Sequence, residues 1–327
     1  MQELIASFTS HLSQALKIGS NCSFKLSKSP IKNIVICGMG GSGIGGTILK
    51  ENVKDICSVP VIICKDYFIP SFIDKGTLFI ASSYSGNTEE TLHALDSAIE
   101  KKAQITCVTS GGGLLALAKQ QSLNYIVIPS GKPPRAMFGF SFIQLFFILN
   151  QYGLINNSFI KEVKESIDNI KNNEQKIMDE AKVILKNLYG KIPVIYSSPL
   201  LAGVSVRFRQ QLNENAKVLA WHHTIPEMNH NELVGWRNKN ETLSVVFLNS
   251  SFDYKKNKKR MELNLKDISQ YTSTIINVSA KGKTLLSETL YLIHLLDWVS
   301  LFLANKKNID PVEVDVIVAL KNNLEKN

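Results

Sequence analysis

The sequence predicts an α/β fold: two similar units in tandem, each a parallel sheet flanked by helices. Short β-rich apolar runs alternate with segments of helical spacing, the pattern left by strands joined through crossover helices. The alternation occurs twice, on either side of a long polar helical stretch. With 327 residues, 44% hydrophobic and 20% charged, the chain is long enough for two domains that each bury a core.

The first unit contains the runs "NIVICG", "VPVIICK", "TLFIASS", "AQITCVTS" and "NYIVIPS", five strands separated by helices such as "TEETLHALDSAIEKK". A helix from about Arg135 to Gln151, apolar enough to be buried, closes it, and Gly153 suits the helix C-terminus. The division therefore falls near residue 152, giving units 1–152 and 153–327. The polar helix "SFIKEVKESIDNIKNNEQKIMDEAKVILKNLYG" opens the second unit, and "PVIYSS", "TLSVVFLNSS" and "TSTIINVSA" supply its strands. Two helices, Leu285–Asn305 and Val312–Leu324, end the chain around a sharp restart at Asp310 and Pro311.

Composition excludes several classes. Cys22, Cys37, Cys57, Cys64 and Cys107 form no CxxC pair and no zinc signature, so buried free thiols in a reducing compartment are expected. The net charge of +9 is spread evenly: 13 basic and 9 acidic residues through Tyr152, 24 and 19 thereafter. The dense run "KKNKKR" at Lys255–Arg260 follows a strand and reads as a solvated helix start, so no nucleic-acid partner is expected. The nearly apolar run Met137–Leu149 is too short to cross a bilayer, and the N-terminus lacks a basic region followed by an apolar core. A cytoplasmic protein with no membrane partner is the expectation.

Two turns stand out. "VICGMGGSGIGG" (Val35–Gly46) breaks from a strand into six glycines and Ser42, and Gly38, Gly40 and Gly43 satisfy the dinucleotide spacing GxGxxG. "SSYSGNTEET" then leaves the third strand with Ser83, Ser85 and Thr88 clustered at a helix start. Hydroxyls beside free N–H groups at a helix N-terminus make a compact anion site, although the same residues also serve as ordinary helix caps. Both turns lie at the carboxyl ends of parallel strands, which favours one small phosphate over an extended dinucleotide.

The pair "GMGGSGIGG" and "SSYSGNTEET" resembles the sugar isomerase (SIS) domain family. That resemblance implies two tandem SIS domains, each a five-stranded parallel sheet in a three-layer, flavodoxin-like or Rossmann-like sandwich. It assigns a phosphosugar's phosphate to Ser83, Ser85 and Thr88, with Gly41 and Ser42 closing the site.

Three further stretches carry polar groups beyond what packing requires. Arg135 follows two prolines in "GKPPRAMFGFS", where a guanidinium could stabilise an oxyanion or simply pair with the helix end. Glu214 lies between Asn213 and Asn215 on a predicted helix, a positioned base or part of a solvated face. His222, His223 and His230 share one segment, but Pro226 breaks the spacing a metal site needs, and His230 reads as a lone acid/base histidine.

In order and spacing, "PPRAMFG", "NENAK", "NHNELVGW" and "DPVEVDVIVALK" are similar to one branch of the family, the bifunctional phosphoglucose/phosphomannose isomerases. The resemblance implies interconversion of glucose 6-phosphate and mannose 6-phosphate with fructose 6-phosphate, through ring opening and a cis-enediolate, with no cofactor and no metal. Glu214 would be the base, Arg135 the enediolate's counter-charge, and His230 and Lys321 the aids to ring opening. It also implies a homodimer in which His230 reaches the partner's site. An SIS isomerase of another, amino, sugar phosphate and a non-catalytic phosphosugar sensor are the alternatives.

Overall fold

Every residue of the run Thr77–Ser82 is buried, as a central strand covered on both faces requires. A computed structural model describes residues 1–26 and 29–324. Helices α1 (Gln2–Ala6) and α2 (Phe8–Ser20) precede β1 (Asn33–Cys37), α3 (Gly40–Val53), β2 (Val61–Cys64) and β3 (Thr77–Ser82). Then follow α4 (Glu89–Glu100), β4 (Gln104–Thr109), α5 (Gly112–Gln120), β5 (Asn124–Val127) and, after a 3-10 turn at Pro134–Met137, α6 (Phe138–Gln151). The long α7 (Ser158–Leu188) leads to β6 (Ile192–Ser197), α8 (Ala202–Ala216), β7 (Trp221–Thr224) and β8 (Leu243–Asn249). The chain ends with α9 (Lys255–Ile268), β9 (Ile275–Ser279), α10 (Leu285–Lys306) and α11 (Asp315–Leu324).

All strand pairs are parallel, in the orders β2-β1-β3-β4-β5 and β7-β6-β8-β9. The second sheet thus has four strands among the described residues, not the expected five. Its β9 exposes alternate residues, as an edge strand does, and the chain leaves it for the buried α10. The histidine-bearing segment, by contrast, supplies strand β7.

Alternation along each strand sends residues to two different cores. Ile34 and Ile36 of β1 and Ile195 of β6 belong to one continuous cluster with apolar residues of α2, α3, α6, α7, α8 and α10. Val35 and Cys37 face Ala94, Leu95 and Leu114 of α4 and α5, while Val194 and Tyr196 face Met261 and Ile268 of α9. The sheets therefore share one middle layer of helices, and each has its own outer layer.

The middle layer follows from sequence. Buried Phe159, Val163, Ile167, Ile170, Ile177, Ala181, Ile184 and Leu188 form a stripe of three- and four-residue steps, with one seven-residue step, along α7. Gln144, fully buried in α6, donates to the Ala15 carbonyl at 2.9 Å. Thr284 and Ser287 bond reciprocally in a capping box that starts α10. This 22-residue helix is long and apolar enough to cross a membrane, yet 89% of its apolar window is buried inside the protein. Leu290→Ala, at a fully buried position of α10, is expected to cost about 3 kcal/mol. Urea unfolding checks this: the midpoint should fall with the slope unchanged.

Candidate active site

Strands β1 and β3 are neighbours although the chain visits β2 between them. Their carboxyl ends frame the crevice where the strand order reverses, the usual ligand position in such sheets. Two loops meet there. Ser42 Oγ accepts the Tyr84 N–H at 2.9 Å, and Ser82 Oγ donates to the Ser42 carbonyl at 3.2 Å. A Cβ at Gly43 would lie 2.0 Å from the Gly38 carbonyl oxygen, so only glycine lets α3 begin this close to β1.

The serine turn is not an ordinary cap. Thr88 occupies the N-cap position of α4, but its hydroxyl makes no capping bond and lies 2.8 Å from Ser83 Oγ. Ser83 also accepts the Gly86 N–H at 3.1 Å, and exposed Ser85 accepts the Asn87 N–H at 3.2 Å. The first N–H groups of α4 are left without side-chain acceptors beside three hydroxyls, a ready environment for a phosphate.

Arg135 adjoins this cradle, because a Cβ on Gly41 would lie 3.3 Å from the Arg135 Cα and N. The guanidinium is buried, its side chain 5% exposed against 28% for Glu214. Burial lowers its pKa from the usual value and Glu214 opposes that shift. It remains cationic at physiological pH. Nη1 donates to Glu214 Oε2 at 3.1 Å, Nε to Asn215 Oδ1 at 2.8 Å, and Nη2 to the Pro311 and Val312 carbonyls at 2.6 and 3.3 Å. One Nη1 hydrogen is left beside the carboxylate.

A buried network fixes this arrangement from behind. Asn215 donates to Ser300 Oγ at 2.9 Å, which orients its amide oxygen toward Arg135. Arg207 lies over the Phe138 ring and donates to the Arg135 carbonyl at 3.1 Å and to Asp297 Oδ2 at 2.6 Å. Gln211 donates to the other Asp297 oxygen at 2.8 Å. Sequence reasoning missed Asn215, Arg207 and Asp297. The available signal was Asp297, an acid between Leu296 and Trp298 in the largely apolar α10.

A chain of contacts links Glu214 to Arg135, Arg135 to Gly41, and Ser42 to the turn that carries Ser83, Ser85 and Thr88, whereas His230 and Lys321 lie on other, exposed segments. His230 is exposed, in a 3-10 turn at Glu227–His230. Lys321 is exposed on α11, a helix with no buried residue. His223 instead pairs with Glu232, Nδ1 to Oε2 2.7 Å, and Glu232 also accepts Tyr196 Oη and, at 3.3 Å, Trp221 Nε1. That buried tyrosine's pKa is raised, first by burial and then by the carboxylate.

The corresponding crevice of the second sheet, between β6 and β8, is filled by the protein's own carboxylates. Asp253 accepts Ser198 Oγ and, at 2.8 Å, the Ser250 N–H, while Glu288 accepts the Ser251 N–H at 3.1 Å. Burial raises the Asp253 pKa. The backbone and hydroxyl donors that a phosphate would need are already used there.

Comparison with known proteins agrees with the geometry. Residues 177–324 match the family described as "Bacterial phospho-glucose isomerase C-terminal SIS domain". The chain is 36% identical to a bifunctional phosphoglucose/phosphomannose isomerase of Caldicellulosiruptor bescii, over 99% of this chain and 98% of that one. Its identity to the Aquifex aeolicus protein of the same name is 37%, over 91% and 92%. Among solved structures, the C-terminal domain of glucosamine-fructose-6-phosphate aminotransferase from Francisella tularensis superposes with a TM-score of 0.73 at 16% identity, covering 95% of this chain and 96% of that one, a likeness of fold. A double parallel-sheet fold, a serine cradle at the first switch point and near-full-length similarity converge: the chain belongs to the bifunctional phosphoglucose/phosphomannose isomerase family.

Proposed function

We propose that this protein interconverts glucose 6-phosphate and mannose 6-phosphate with fructose 6-phosphate in the crevice between β1 and β3. The observation that carries the proposal is the ion pair of Glu214 with buried Arg135, 3.1 Å apart, one loop away from the hydroxyls of Ser83 and Thr88. The phosphate sits on Ser83, Ser85, Thr88, Gly41 and Ser42 and anchors carbon 6. Glu214 removes the proton from carbon 2 of the open-chain aldose and returns it to carbon 1, while the hydroxyl proton on oxygen 2 passes to oxygen 1. The oxygens of carbons 1 and 2 meet the unused Nη1 hydrogen of Arg135 as they gain negative charge, so the guanidinium's interaction is strongest in the transition state. Rotation about the bond between carbons 2 and 3 lets one base serve both epimers.

Ring opening needs an acid/base group on the far side of the sugar. His230 takes this role in a homodimer, donated across the interface. Its exposure, next to Val234 at 70% exposed, supports a position that a second subunit covers. Lys321 assists from α11. The proposed division is an N-terminal domain of residues 1–152 and a C-terminal domain of residues 153–327, in a cytoplasmic enzyme.

Coupled-assay turnover of the purified protein tests the function. Conversion of both epimers to fructose 6-phosphate is expected; turnover of an amino sugar phosphate alone would contradict it. Ser83→Ala should raise KM about 10-fold or more with kcat little changed, because a bond to the non-reacting phosphate contributes equally to ground and transition states. Steady-state kinetics on fructose 6-phosphate checks this.

A further inference from the structure

Residues 310–313 present four consecutive carbonyls to two cations. Pro311 and Val312 accept from Arg135 Nη2 at 2.6 and 3.3 Å, and Asp310 and Glu313 accept from Lys217 Nζ at 3.2 and 2.6 Å. The third proton of that ammonium goes to the Glu214 carbonyl at 2.7 Å, so all three protons of Lys217 meet main-chain oxygens, and the Glu313 carboxylate pairs with it at 3.6 Å. It occupies the C-cap of α8 in the left-handed region (φ 51°, ψ 46°), which turns its side chain back over the helix end that carries Glu214. Lys307 completes the arrangement, donating to the Ala216 carbonyl at 2.9 Å. None of residues 310–324 is fully buried.

Resting on the roles given above to Arg135 and Glu214, we propose that Lys217 is a positioning residue that clamps residues 310–313 as a strap across Arg135. The strap occupies the Nη2 edge of the guanidinium and leaves only the Nη1 edge toward Glu214 and substrate. It also ties the segment that leads into α11, which carries Lys321, to the same helix end. Without the ammonium, the Asp310 and Glu313 carbonyls and the Glu313 carboxylate lose their cation, and Arg135 alone is left to tie the strap to the site. The guanidinium is then free to turn with it, and a displacement of about 1 Å at a charge-stabilising group costs up to about 100-fold in rate.

The test is hydrogen exchange and steady-state kinetics on full-length wild type, Lys217→Met, Lys217→Arg and Glu214→Gln. For Lys217→Met, amide exchange over 310–324 should accelerate about 10-fold or more while the core helices stay protected. Its kcat should fall about 10-fold with KM within about threefold, and Lys217→Arg, which keeps a cation, should recover most of both effects. Unchanged protection of 310–324, or lost protection with wild-type kcat, would overturn the proposal. Should Lys217→Met fail to fold, Lys217→Gln carries the same measurements. Full turnover by Glu214→Gln would instead overturn the site assignment, which separates the two failures.

Discussion

Glu214→Gln is expected to lower kcat by about three orders of magnitude while KM for fructose 6-phosphate stays within about threefold. Glutamine keeps the shape and can still accept the Arg135 Nη1 hydrogen bond found at 3.1 Å. It has no basic oxygen to take a proton from carbon, so the chemical step alone suffers. The phosphate contacts at Ser83 and Thr88 are untouched, which is why binding survives. Rapid-mixing or coupled assays with both aldose phosphates check this, and the loss should be the same for the two epimers because one base serves both.

Arg135→Met is expected to lower kcat by about 100- to 1000-fold, the loss typical when a fixed group facing a developing oxyanion is removed. Arg135→Lys should not restore activity. The guanidinium donates in four directions, to Asn215, Glu214, Pro311 and Val312, and an ammonium on a flexible stem cannot reproduce that fork. Removing the cation also leaves Glu214 without its ionic partner and the two strap carbonyls without a donor. Arg135→Met, which also strips the strap carbonyls and Asn215 of their donor, should therefore lose more stability than Glu214→Gln, which removes the counter-charge but keeps the hydrogen bond; urea unfolding of both variants checks the order.

The first sheet was legible because each of its strands is an apolar run bounded by a turn, and the helices between them keep a regular apolar spacing. The second sheet was harder to read. Strand β7, "WHHT", has little apolar character and is a strand because it pairs with β6, a tertiary effect that local pattern does not carry. The serine turn illustrates the same limit at the site. Its residues were recognisable, but capping and ligand binding use the same residue types, and only the Ser83–Thr88 contact separates them.

Glu214 and Arg135 were legible as residues while their 3.1 Å pairing was not, since they are 79 positions apart in the chain. Asn215 and Lys217 lay in the motif "NENAK", yet their partners are Ser300 and the main chain of residues 310–313, close only after α10 has packed on α8. Main-chain acceptors have no sequence signature at all. The strap across Arg135 is therefore a property of the fold that no reading of residue types could supply.

The most direct test of the central claim is a crystal structure of Glu214→Gln with fructose 6-phosphate bound. The expected result is the phosphate on Ser83, Ser85 and Thr88, carbons 1 and 2 beside residue 214, and their oxygens facing Arg135. A phosphate bound elsewhere, or a sugar whose first two carbons lie away from residue 214, would contradict it.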